Sequence, residues 1–209
     1  MKYIEQFLNM KCAGDVIGIV GKQKNYQKEI TEAMSLRKHV KDVVLKEENK
    51  DKFVVIDTCS GNALVPILCA FSLPIQKAYA TDIRERDRPW SKVNKFEYKT
   101  LDIFDKEIEN LIKQYSDVIL TSSHPCGKLA KRTVELYSNF EQVKYMFVMP
   151  CCVNKIPQDM FKVPQLILDK LTGYEKWCLY LQGLVGYSEL TRDPHVMSQK
   201  NCIISAKSV

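Results

Sequence analysis

A chain of 209 residues with a net charge of +6, 45% hydrophobic and 27% charged residues lies outside the disordered and fibrous classes, and no apolar stretch is long enough to span a bilayer. Its eight cysteines lack the regular spacing of a disulfide scaffold, and the opening MKYIEQFLNMKCAGDVIGIVG breaks its apolar runs with Glu5, Lys11 and Asp15. A soluble cytoplasmic protein with reduced thiols, no membrane partner and one main core is expected.

From Tyr26 to Lys46, the residues Ile30, Ala33, Met34, Val40, Val43 and Val44 recur at helical spacing between Lys28, Arg37, Lys38 and Lys41, which predicts an amphipathic helix. The charged stretch KEENKDK, Lys46 to Lys52, reads as a short linker. Residues 1–50 are therefore expected as an N-terminal helical cap, and 51–209 as the main domain. Beyond the linker, FVVID, AYATD, FEYKTLD, DVILTS and KYMFVMP each lead into a segment of helical length. Lys77 to Thr81, Phe96 to Thr100, Asp117 to Thr121 and Tyr145 to Met149 are too short for helices and rich in Val, Ile, Tyr and Phe, which suits buried strands. Parallel strands need right-handed helical crossovers, which place helices on both sheet faces. The expected fold is α/β, a doubly wound, mostly parallel Rossmann-like sheet with an N-terminal helical extension. Pro150 and Pro157 mark a loop after the fifth strand, and Gln165 to Leu171 resume a helical pattern. The stretch EKWCLYLQGLVGY could be a helix to about Tyr187 or partly a strand, and Lys200 to Ser208 reads as a final strand.

In such sheets the ligand crevice lies at the carboxyl ends of the strands. Asp57 ends the first strand, Asp82 the second and Asp102 follows the third, while Ser122, Ser123 and His124 follow the fourth. A pyrophosphate-binding turn needs several glycines, and an acid at its mouth repels the anion; Asp57 and the lone Gly61 disfavour NAD or ATP. A cationic nucleoside without phosphates, such as S-adenosylmethionine, suits the acids. Asp82 lies at the distance beyond Gly61 at which an acid reaches ribose hydroxyls, although it could instead cap a helix over Arg84 to Arg88. Asp105 competes with Asp102 for its role.

The segments VVIDTCSGNAL, YATDIRE and KTLDIFD resemble the successive cofactor motifs of class I S-adenosylmethionine-dependent methyltransferases. The resemblance covers Phe53 to the C-terminus. It implies that Asp57, Cys59, Ser60, Gly61 and Asn62 face the methionine part, Asp82 with Ile83 the ribose, and Asp102 with Ile103 the adenine; Ser122 adjoins the cofactor. The family usually has two or three glycines after the first acid, whereas Cys59, Ser60, Asn62 and Ala63 flank one here. The H-x-C-G of His124 to Gly127 and the P-C-C of Pro150 to Cys152 are similar to a subgroup that includes a eukaryotic tRNA 2′-O-methyltransferase and several methyltransferase-like proteins. RNA is the acceptor class this implies, alongside the basic balance and a cationic face from Arg84, Arg86, Arg88, Lys128, Lys131 and Arg132; small-molecule or protein acceptors, or a non-catalytic nucleoside-binding module, are the alternatives.

Ser122 and His124 are the candidate catalytic residues, His124 because an imidazole accepts a proton from a hydroxyl near neutral pH. His124, Cys126, Cys151 and Cys152 are expected to converge between strands four and five. Two readings compete: thiolates and an imidazole could bind zinc tetrahedrally, but without the paired spacing of a zinc site the favoured reading is buried packing thiols, with no metal expected.

Overall fold

The computed structural model describes residues 2–21, 23–156 and 168–208. Three helices, α1 (Tyr3–Leu8), α2 (Ala13–Val20) and α3 (Tyr26–Val44), precede the sheet, and a 3-10 turn at Lys50–Lys52 occupies the expected linker. Then follow β1 (Val54–Thr58), α4 (Leu64–Ser72), β2 (Lys77–Asp82), β3 (Phe96–Thr100), α5 (Lys106–Lys113), β4 (Val118–Ser123), α6 (Lys128–Asn139) and β5 (Val143–Met149). The chain closes with α7 (Gly173–Gly183), β6 (Ser188–Arg192) and β7 (Cys202–Lys207). Residues 165–167 of the helix expected from Gln165 to Leu171, and Pro157 of the expected loop, lie outside the described residues.

The sheet runs β3-β2-β1-β4-β5-β7-β6, with the first five strands parallel and β7 antiparallel to both neighbours. This is the expected α/β fold. The order reverses between β1 and β4, which opens a crevice beyond their carboxyl ends. All of β1 is buried, so its residues are sorted by parity rather than by polarity. Val55 packs in the core shared with α1 to α4, while Val54 and Ile56 pack in the core shared with α5, α6 and α7. The N-terminal helices therefore form part of one continuous layer with α4.

Two expectations change. Among the described residues no α-helix joins β2 to β3: IRERDRPW lacks apolar periodicity, and the segment has only a 3-10 turn at Trp90–Lys92, with Trp90 stacked on Tyr98 at 5.0 Å. The ambiguous aromatic stretch resolves into α7, followed by the edge strand β6. Thr172 and Glu175 form a capping box that starts α7, and Trp177 anchors it in the core.

One carboxylate ties the N-terminal layer to the far end of the sheet. Asp193, just after β6, accepts hydrogen bonds from Tyr3 and Ser35, each at 2.6 Å, and from the His195 N–H at 2.9 Å. Replacing Asp193 with Ala strands two largely buried hydroxyls and is expected to cost about 2–4 kcal/mol in urea denaturation, against under about 0.5 kcal/mol if the contact is incidental.

Candidate active site

The turn after β1 is built to bend without a glycine-rich sequence. Cys59, Gly61 and Ala63 all take left-handed backbone, with φ of 55°, 56° and 61°. Two non-glycine residues thus hold a conformation that L side chains disfavour by about 1–2 kcal/mol each. Hydrogen bonds to the neighbouring strand compensate: Ser60 N–H donates to the Thr81 carbonyl at 2.9 Å, and Gly61 N–H to Asp82 Oδ2 at 2.8 Å. A Cβ at Gly61 would meet only the end of the flexible Arg84 side chain, at 3.4 Å, so the positive φ is the main reason for glycine there.

Parity along the strands decides which side chains face the crevice. Asp57 lies on the same face as Val55, opposite Thr121 in register, and accepts hydrogen bonds from Thr121 Oγ1 at 2.6 Å and from the Ser60 hydroxyl. Burial pushes this carboxyl up to about 7; the two hydroxyls oppose the shift and Asp82 adds to it. Ser123 shares that face and lines the crevice. Ser122, expected at the site, points the other way: it is fully buried, and its hydroxyl donates to the Thr58 carbonyl at 2.7 Å. This corrects its placement beside cofactor and acceptor.

Two cavities meet at Cys59, Arg84 and His124. The first, about 320 Å³, is polar and carries both signs of charge: Glu29 and Glu32 from α3 with Asp57 below, facing Lys28, Arg84 and Arg86. The second, about 410 Å³, is more apolar; Asp82 and Asp102 border Ile83, Ile103, Phe104 and Leu129. Ile83 and Phe104 are exposed at its rim, and Asp102 braces the loop by accepting from the Phe104 N–H at 3.0 Å. Asn62 links the turn to α3 by donating to Glu29 at 2.7 Å.

Asp82 is engaged from several sides. Besides Gly61, it accepts from the Arg84 backbone at 3.0 Å and from the Arg84 guanidinium at 2.8 and 3.1 Å. Burial pushes its carboxyl up, but these hydrogen bonds outweigh that and hold it below the usual carboxylate range. No helix follows for it to cap. Cys59 is no nucleophile, since burial and then the charges of Asp82 and Asp57 push its thiol up to about 12.

His124, in left-handed backbone at φ 57°, is pinned by its N–H to the Met149 carbonyl at 2.8 Å. Its Nε2 lies 3.0 Å from Glu32 Oε1, a close contact without the alignment of a hydrogen bond. His124 therefore stands apart from the thiols it was expected to join. Cys126, Cys151 and Cys152 do converge, yet Cys126 and Cys152 are exposed rather than buried packing groups. Glu29 and Glu32 escaped the sequence reading; their signal was two acids spaced i, i+3 beside Ala33 on an otherwise basic helix.

The expected cationic face is largely paired within the fold. Arg84 holds Asp82, Arg132 holds Glu109 at 2.8 Å, Lys131 lies 3.7 Å from Glu135, and Arg88 donates to Asn62 and to the Val20 carbonyl.

Asp57 carries a pH signature. Its ordinary value is 3.8 and its value in the fold about 7, so folding favours the protonated acid. That contribution to stability is full below about pH 4 and is lost as pH rises through 7, a span on the order of 4 kcal/mol. Asp57→Asn is expected to flatten the pH dependence of the urea midpoint over this window; equal slopes in both proteins would contradict the assignment.

The family described as Methyltransferase domain matches residues 24–159, more than half of the chain. The mouse protein named "Probable methyltransferase-like protein 25" is 27% identical over 135 residues, covering 59% of this chain and 22% of the relative. The chain thus spans about a fifth of that relative's length. Among solved structures, TrmK of M. capricolum in complex with S-adenosyl-homocysteine is 14% identical at a TM-score of 0.42, covering 81% of this chain and 67% of that one. An O-methyltransferase family protein from Burkholderia thailandensis is 11% identical at a TM-score of 0.44, covering 98% of this chain and 69% of that one. The extent of the family match, over the turn, the strand-end acids and α3, decides the matter: the chain belongs to the methyltransferase-domain family.

Proposed function

We propose that this protein transfers a methyl group from S-adenosylmethionine to RNA. The observation that carries the donor is the pair of confluent cavities: one polar and doubly charged, one apolar, with Asp82 bordering the second near their junction. An amino-acid zwitterion fits the first, its ammonium toward Glu29, Glu32 and Asp57 and its carboxylate toward Lys28, Arg84 and Arg86. A base fits the second, between Ile83, Ile103 and Phe104, and its ribose hydroxyls fit Asp82 once the exposed Arg84 side chain gives way. A dinucleotide's phosphates have no glycine-rich cradle here. When bound, the donor supplies a methyl group already activated by its sulfonium.

The chain's own work is then positioning and proton transfer. Glu32 holds the Nε2 side of the His124 ring, leaving Nδ1 as the atom that takes a proton from an acceptor hydroxyl. The RNA reading rests on the net charge of +6 and on the subgroup resemblance. Since most of the expected cationic face is internally paired and Arg86 faces the donor carboxylate, Lys128 at the wall of the apolar cavity is the cation assigned to phosphate.

Titration calorimetry with S-adenosylmethionine should show binding that Asp82→Ala weakens roughly 10- to 100-fold. Unchanged affinity removes Asp82 from the site. With labelled donor and cellular RNA, His124→Ala should retain donor binding and lose turnover by about 100-fold or more. RNA affinity should fall with salt at a log–log slope of about 0.7–0.9 per phosphate neutralised, and a flat response would exclude RNA as the acceptor.

A further inference from the structure

The thiols of Cys126, Cys151 and Cys152 form a small triangle beside the acceptor end of the crevice. Their sulfurs are separated by 3.2, 3.4 and 3.2 Å, and none is joined in a disulfide. Two loops bring them together. The left-handed turns at His124 and Gly127 fold the β4–α6 loop back toward the end of β5, and the hydrogen bond from His124 N–H to Met149 clamps the two loops at their base. Cys126 also lines the apolar cavity, so the triangle sits on the wall of the site itself.

Packing does not account for this arrangement. Cys126 and Cys152 are exposed and Cys151 is half-buried, and thiols so open to water gain little by crowding. Their hydrogen-bonding capacity is also poorly used, since among the described residues the only other acceptor the sulfurs reach is the His124 carbonyl, at 3.3 Å from Cys151 and 3.8 Å from Cys126. Soft thiolates from two adjacent loops are the donor set of a thiophilic closed-shell cation.

We infer that Cys126, Cys151 and Cys152 bind one Zn²⁺ ion that pins the β4–α6 loop to the loop after β5. With Zn–S bonds of about 2.3 Å, tetrahedral coordination separates sulfurs by about 3.8 Å, so the triangle needs to open by only a few tenths of an ångström. Each Zn–S bond forms on a thiolate, the thiol proton passes to solvent, and nothing is oxidised or reduced. The fourth coordination position lies on the exposed side and is taken by water. His124 is not a ligand, because its ring nitrogens do not share the 4.8 Å grouping of the three sulfurs.

This inference stands apart from the methyl-transfer reading, and its test needs neither donor nor acceptor. The full chain is purified without chelator, and its metal is measured by mass spectrometry. The protein is then stripped and titrated with Zn²⁺ alone and with Co²⁺ alone. The expected result is one zinc per chain, a cobalt spectrum with sulfur-to-metal charge transfer and the intense d–d bands of tetrahedral coordination, and zinc-dependent protection of amides 126–128 and 151–153 from exchange. Cys126→Ser and Cys152→Ser, both at exposed positions, should keep the urea midpoint of the stripped protein and lose zinc affinity by more than the roughly 10- to 100-fold that removing a supporting group costs. Absence of zinc binding in the titration, copper in place of zinc, unaltered affinity in the serine variants, or a Cys126–Cys151 or Cys126–Cys152 disulfide in the purified protein would each overturn it. Calorimetry with the donor on the same variants shows separately whether the cofactor site is intact.

Discussion

Asp82 accepts the Gly61 N–H from the turn after β1 and, on its other side, the backbone and guanidinium of Arg84. The first contact fixes a turn that has given up two glycines and would otherwise have reason to relax, since Cys59 and Ala63 both hold left-handed backbone. The second covers the carboxylate with an exposed side chain that solvent partly screens. One acid therefore shapes the turn and keeps its outward side exchangeable. Asp57 has a different part: it is buried, its oxygens are satisfied by Ser60 and Thr121, and it lends the floor of the polar cavity a charge that burial keeps close to neutrality.

Around this pair the crevice is assembled from elements distant in the chain. The topological switch between β1 and β4 opens the space, and α3 closes one side of it with Glu29, Glu32 and Lys28. The N-terminal helices thereby contribute chemistry as well as packing, because their core is continuous with that of α4 and the sheet. The polar cavity is not uniformly negative, as the strand-end acids alone suggested. Cations from α3 and from the segment after β2 share it, and that mixture suits an amino-acid zwitterion better than a simple cation.

The central strands were legible because burial on both faces makes them short, continuous apolar runs, and their tips fell where the acids stand. The edge strand β6, SELTR, was not, since its mostly exposed, polar residues carry no such run. The segment after β2 has helical length but no apolar face, so length alone misled. In the site, Asp57, Asp82 and Asp102 could be found from strand ends. Ser122 was misplaced although alternation from Asp57 and its partner Thr121 selects Ser123. Glu29 and Glu32 reach the turn only through tertiary packing, which no local pattern encodes, and the Arg84 cover on Asp82 is likewise a side-chain arrangement that strand-end position does not reveal.

The account depends most on Asp82 exchanging its arginine for the hydroxyls of a nucleoside. A crystal structure with S-adenosyl-homocysteine tests this directly. The account predicts the ribose on Asp82, Arg84 displaced from it, and the base between Ile83, Ile103 and Phe104. A nucleoside bound elsewhere with the Asp82–Arg84 pair still closed would contradict it.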